Sequence, residues 1–88
     1  MIDSTYFKLN RQLKTLETEA EELDRVFQKR RAELEKVINF YDIGVISEET
    51  AEKLTEALTQ RALEAESECE AKAFEIDNLR RYITDLYY

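Results

Sequence analysis

Phe40-Tyr41-Asp42-Ile43-Gly44-Val45-Ile46-Ser47-Glu48-Glu49 contains the only glycine of an 88-residue chain that has no proline. Glycine has no Cβ, so Gly44 takes up the left-handed conformation that commonly ends a helix. Three residues later Ser47 offers a hydroxyl oxygen to the free N–H groups of a new helix. Glu48 and Glu49 favour the positive end of that helix. Val45 is placed for the apolar contact that often follows a glycine stop, and Ile46 for a staple onto Ala51. The stretch therefore predicts a helix, one reversal and a second helix.

Upstream, Tyr6, Leu9, Leu13, Leu16, Ala20, Leu23, Phe27, Arg30, Leu34, Val37 and Tyr41 fall on alternating steps of three and four. That spacing is a heptad seam with one charged member, Arg30. Arg30 either lays its stem on the seam and reaches out to Glu33 or Glu64, or sets the register as a buried ion pair. Asp3 or Ser4 caps the start. Downstream, Ala51, Leu54, Leu58, Ala62, Ala65, Cys69, Lys72, Ile76, Leu79, Ile83 and Leu86 repeat the pattern, with one extra step of four at Leu58 to Ala62.

Folding about residue 45 or 46 brings positions whose numbers add to about 91 to one level. Phe27 then meets the Ala62–Ala65 region, Leu16 meets Phe74, and Leu9 and Leu13 meet Leu79 and Ile76. Large side chains oppose small ones, as close packing requires. The expected fold is all-α: two long antiparallel helices, about 4–42 and 48–87, forming one helical-hairpin (coiled-coil) domain over residues 1–88. Phe7, Val26, Ile38, Phe40, Leu63, Phe74 and Tyr82 lie off the seam and need cover. A homodimer packed as a four-helix bundle would supply it, and so would a monomer offering this face to a different protein.

Charged residues make up 38% of the chain, and the net charge of −7 disfavours direct nucleic-acid or anionic-membrane binding. No apolar run reaches the roughly 18 residues of a membrane span. With no leader sequence and a single cysteine, Cys69, a cytoplasmic location is expected. Histidine is absent, which removes the commonest general base and the nitrogen ligands of a metal centre. Cys69 has no base to activate it and reads as a small seam residue. One glycine cannot build a phosphate-binding loop. No catalytic residue, metal or cofactor is therefore expected.

Two charged zones remain. Glu17, Glu19, Glu21, Glu22 and Asp24 share their levels with Glu64, Glu66, Glu68 and Glu70, making an acidic waist that is either a solvated surface or a docking site for a basic partner. At the termini Lys8, Arg11, Lys14, Arg80 and Arg81 gather among Tyr6, Phe7, Tyr82, Tyr87 and Tyr88, either as an aromatic plug or as a binding end rich in Tyr and Arg. The candidate partner-binding residues are thus Phe7, Arg11, Arg81, Tyr82, Tyr87 and Tyr88 at that end, with Glu19, Glu22, Glu66 and Glu70 at the waist.

Residues 41–49 resemble the turn of SHOCT-type short helical hairpins over about a tenth of the chain. Glu33-Leu34-Glu35-Lys36-Val37-Ile38-Asn39-Phe40-Tyr41 looks like a helix segment of SPX domains, which bind inositol polyphosphates through a basic cluster that this acidic chain lacks. The overall plan is similar to small type III secretion chaperones and to ESX-type secreted hairpins, without the Trp-x-Gly turn of the latter.

The functional expectation is a non-catalytic protein–protein interaction module: a small acidic adaptor, chaperone or inhibitor that binds a protein partner. The alternative is a nucleic-acid mimic whose waist blocks a DNA- or RNA-binding protein. A third class is a phosphorylated-ligand binder at the basic aromatic end.

Overall fold

A computed structural model describes residues 3–88. It contains two helices, α1 (Ser4–Asp42) and α2 (Glu48–Tyr87), packed side by side in a body 65 × 14 × 14 Å. The length follows from the rise of about 1.5 Å per residue over roughly forty residues. The expected hairpin is therefore the observed fold.

The reversal is built as the turn stretch dictates. Gly44 has φ +80° and is the only residue with positive φ among those described. Its N–H donates to the Tyr41 carbonyl at 3.0 Å, and the Val45 N–H donates to the Phe40 carbonyl at 2.9 Å. This pair of bonds satisfies carbonyls that the end of a helix leaves free. Ser47 is extended (φ −74°, ψ 161°), and its hydroxyl oxygen accepts from the Thr50 N–H at 3.2 Å to start α2. At the other end Asp3 is the cap of α1, accepting from the Tyr6 N–H at 3.1 Å. Val45 does not gain the cover expected of it and stays 65% exposed. Ile46 is the turn residue that is half-buried, beside the buried Ala51 on which it would staple.

Burial follows the heptad seam, except that Tyr41 at the end of α1 is 43% exposed and two positions change on α2. Leu54 is 43% exposed whereas Thr55 is half-buried, and Leu86 is 52% exposed whereas Tyr87 is half-buried. With Thr55 as the inward residue, the steps alternate from Ala51 to Ile83 and the extra step of four disappears. The strict repeat keeps the stripe facing its partner, and that geometry outweighs the greater hydrophobicity of Leu54. Phe74 is also displaced from its expected role: it is 69% exposed, two residues from the buried Ile76 and so on the far side of the helix. Leu16 instead borders a groove with Leu79 and Tyr82.

The buried residues are Val37, Ala51, Ala62, Ala65, Ile76 and Ile83, and none of the described side chains is fully enclosed. Alanines dominate because a small side chain is easily covered by the large ones opposite. Phe27 is half-buried, and the Arg31 guanidinium lies 5.8 Å from its ring centre. Arg30 is solvent-reaching rather than buried: its side chain is 32% exposed and meets Glu33, not Glu64, at 3.4 Å. A two-helix body can shield only one stripe per helix, so this core is thin.

Candidate interaction surfaces

Two zones carry the candidate residues and a third is added by the structure. At the waist, Asp24 of α1 lies near enough to Cys69 of α2 to act on its thiol alongside the α2 carboxylates. Burial pushes the half-buried Cys69 thiol up, and the charges of Asp24, Glu68, Glu66 and Glu70 push it further in the same direction. Glu22, Glu66 and Glu70 are exposed and form no ion pair among the described residues. Glu19 differs. Its carboxylate accepts from Lys72 Nζ at 2.8 Å across the helix interface, and the same ammonium reaches Glu75 at 3.4 Å.

Lys72 was legible only as a polar member of the α2 seam, yet it is the principal charged tie between the helices. Its stem lies along the seam and its head emerges between two carboxylates, leaving the side chain 19% exposed. The hydrogen bond to Glu19 raises its pKa. Glu17, two residues before Glu19, accepts from Arg80 at 3.3 Å. Two of the waist carboxylates are thus committed within the fold.

The terminal aromatics divide in a similar way. Tyr87 is half-buried; its hydroxyl donates to Asp3 Oδ1 at 3.1 Å and its ring stands edge-on to Tyr6, with centroids 5.0 Å apart. Tyr6 and Tyr88 share a hydroxyl–hydroxyl bond of 3.0 Å. Asp3 is held below the usual carboxylate range by the Tyr6 N–H and then by the Tyr87 hydroxyl. Loss of surrounding water, then the Asp3 bond, pushes the Tyr87 phenol up, and the bond to Tyr6 does the same for Tyr88. These residues clasp the chain ends together.

Phe7 (57% exposed), Tyr82 (54% exposed) and Arg81 remain outside the clasp. Arg11 bends back to the Phe7 carbonyl at 3.4 Å. Phe7, Arg11, Lys14 and Glu17 border an open groove of about 670 Å³. Tyr82 borders a different one, with Gln12, Leu16 and Leu79. The terminal end is therefore not one continuous patch.

The third zone surrounds the reversal, and sequence reading gave it no functional weight. Ile38, Phe40, Tyr41, Ile43, Val45 and Leu54 are all more than two-fifths exposed, with Ile43 at 71%. A signal was present in the density of large apolar residues between 37 and 46, of which Ile38 and Phe40 were already expected to need cover and Tyr41 to lie on the seam. Around this apolar tip stand Asp42, Glu48 and Glu52, while Glu49 is paired with Lys53 at 3.2 Å.

Among the described residues no cluster of three metal-ligating side chains occurs, and no helix is long and apolar enough to cross a membrane. Comparison with known protein families, with curated proteins and with solved structures finds no match to this chain.

Proposed function

We propose that this chain is a non-catalytic protein–protein interaction module that binds a partner through its uncovered helical faces. One observation carries this reading: among the described residues thirteen large apolar or aromatic ones are more than two-fifths exposed, against six buried, three of them alanine. Isolated exposed apolar residues are ordinary on a monomer, but groups of them along one edge and at one tip mark contact surfaces. Tyr and other aromatics carry such contacts well because they bury much area at little entropic cost.

The test is affinity capture from a native lysate followed by titration of the isolated partner against variants. Phe7→Ala, Tyr82→Ala and Ile43→Ser are expected to weaken binding with little salt dependence. Tyr87→Ala is a poor probe, because it opens the terminal clasp. Under the alternative reading of a nucleic-acid mimic, charge reversal at Glu22, Glu66 and Glu70 abolishes binding, and raised salt does the same. Glu19 is left out of that set since its reversal breaks the tie to Lys72. A partner lost on charge reversal but retained by the aromatic variants would overturn the interaction-module reading in favour of the mimic.

A further inference from the structure

The hairpin exposes 6856 Å². A compact monomer of 10.5 kDa would expose about 5400 Å². The excess, roughly 1400 Å², exceeds the ~800 Å² that each partner contributes to a stable interface. From its distribution we propose that a second copy of this chain covers one edge of the hairpin, running antiparallel, with the two-fold axis at the level of Val26. The second copy is then a partner in the interaction reading, and this assignment rests on that reading.

The edge is defined by contacts that both helices share. Gln12 and Tyr82 border one groove, and Lys72 reaches both Glu19 and Glu75 on the same side. Seven-residue steps along each helix continue that edge, from Glu19 to Val26 and Phe40 on α1 and from Glu75 to Arg61 and Leu54 on α2. Val26, Phe40, Leu54 and Tyr82 are 44%, 41%, 43% and 54% exposed, so the edge is an interrupted apolar stripe.

A two-fold axis lying across the hairpin sets each helix against its own counterpart in reverse. Val26 then meets Val26. On this edge Gln12 and Tyr82, whose numbers add to 94, border one groove, so Glu68 stands level with Val26; Arg61 and Glu75 lie one heptad, about 10 Å, on either side, and each Arg61 faces the Glu75 of the other copy. Leu54 and Tyr82 lie two heptads, about 21 Å, on either side, and meet in the same way. Glu19 falls opposite Glu33, but each already has its own cation, Lys72 at 2.8 Å and Arg30 at 3.4 Å. A parallel dimer would press the acidic waist onto its twin. The antiparallel one sets the α1 half of the waist, Glu17 to Asp24, against the level of Lys29, Arg30 and Arg31, while the α2 half stays near the axis. One unneutralised like-charge contact remains: Glu68 lies at the level of the axis and faces itself.

Sedimentation equilibrium of the whole chain, together with cysteine cross-linking in a Cys69→Ser background, tests this. The wild type is expected to be a dimer, and Val26→Glu a helical monomer. Glu68→Gln should tighten the dimer about two- to five-fold. Val26→Cys should link to itself under mild oxidation, and Leu54→Cys should link to Tyr82→Cys but not to itself. A monomer of native helicity at high micromolar concentration overturns the second copy while leaving the interaction reading to a different protein. Leu54→Cys linking to itself in preference to Tyr82→Cys overturns the antiparallel register. If Phe40→Ser and Tyr82→Ser alter neither self-association nor binding of a captured partner, the interaction reading itself fails.

Discussion

Replacing Gly44 with alanine isolates the backbone cost of the reversal. Gly44 has φ +80°, and a Cβ added there would meet nothing within 4 Å. The substitution therefore adds no collision; it only forces an L-residue into left-handed backbone, at about 1–2 kcal/mol. For a domain of this size each kcal/mol moves the melting temperature by about 4–8 °C, so a fall of roughly 5–15 °C is expected. Asparagine tolerates this conformation better and should lower the midpoint less. D-alanine, introduced by chemical ligation, prefers it and should leave stability unchanged or raise it by about 0.4–1 kcal/mol. Circular dichroism melts at one fixed protein concentration provide the assay, since self-association shifts the midpoint by mass action. Equal midpoints for glycine, L-alanine and D-alanine would refute the reasoning, because the turn would then not depend on left-handed backbone at residue 44.

Three further outcomes follow from the packing and titration of named groups. Ala65 is 6% exposed on the seam, so Ala65→Leu should cost about 1–3 kcal/mol in denaturant unfolding, whereas Ala57→Leu on the exposed face should be near neutral. Asp3 has its folded pKa below the ordinary aspartate value of 3.8, so its contribution to stability is present above that value and is lost as pH falls through the folded pKa; Asp3→Asn should flatten the acid limb of stability against pH. The Cys69 thiol is pushed up by burial and neighbouring carboxylates, so alkylation at mildly alkaline pH should be slower than for an unfolded peptide and should speed up in denaturant.

Most of the fold was legible because both halves obey one repeat and only one residue can break it. The helix limits expected from Gly44, Ser47 and the first capping residue agree with Ser4–Asp42 and Glu48–Tyr87. The register was legible too: Lys72 meets Glu19, and Tyr87 meets Asp3, both within about one residue of the expected levels. What escaped was the choice between adjacent candidates. Leu54 over Thr55 and Leu86 over Tyr87 follow hydrophobicity; a continuous heptad rotates Thr55 inward, whereas Tyr87 turns inward one residue past the heptad position at Leu86. At the C-terminus the Tyr87 hydroxyl also finds Asp3, which Leu86 could not. Lys72 was obscure because its role depends on two carboxylates, one of them 53 residues away in sequence. The apolar tip was not read as one patch because its residues were divided among the seams (Tyr41, Leu54), the off-seam set (Ile38, Phe40) and the turn (Val45, Ile46), where only Ile46 is half-buried.

Distance measurement by pulsed electron paramagnetic resonance, with spin labels at Lys8 and Asp85 and an excess of unlabelled chain, tests the doubling-back most directly. Adjacent antiparallel helices have axes about 8–10 Å apart, so labels on their outer faces should lie roughly 20–30 Å from one another. A helix running unbroken through residue 44 would separate the same positions by about 115 Å. A short, narrow distance distribution is the result expected of the hairpin. No dipolar signal within the range of the method would contradict it.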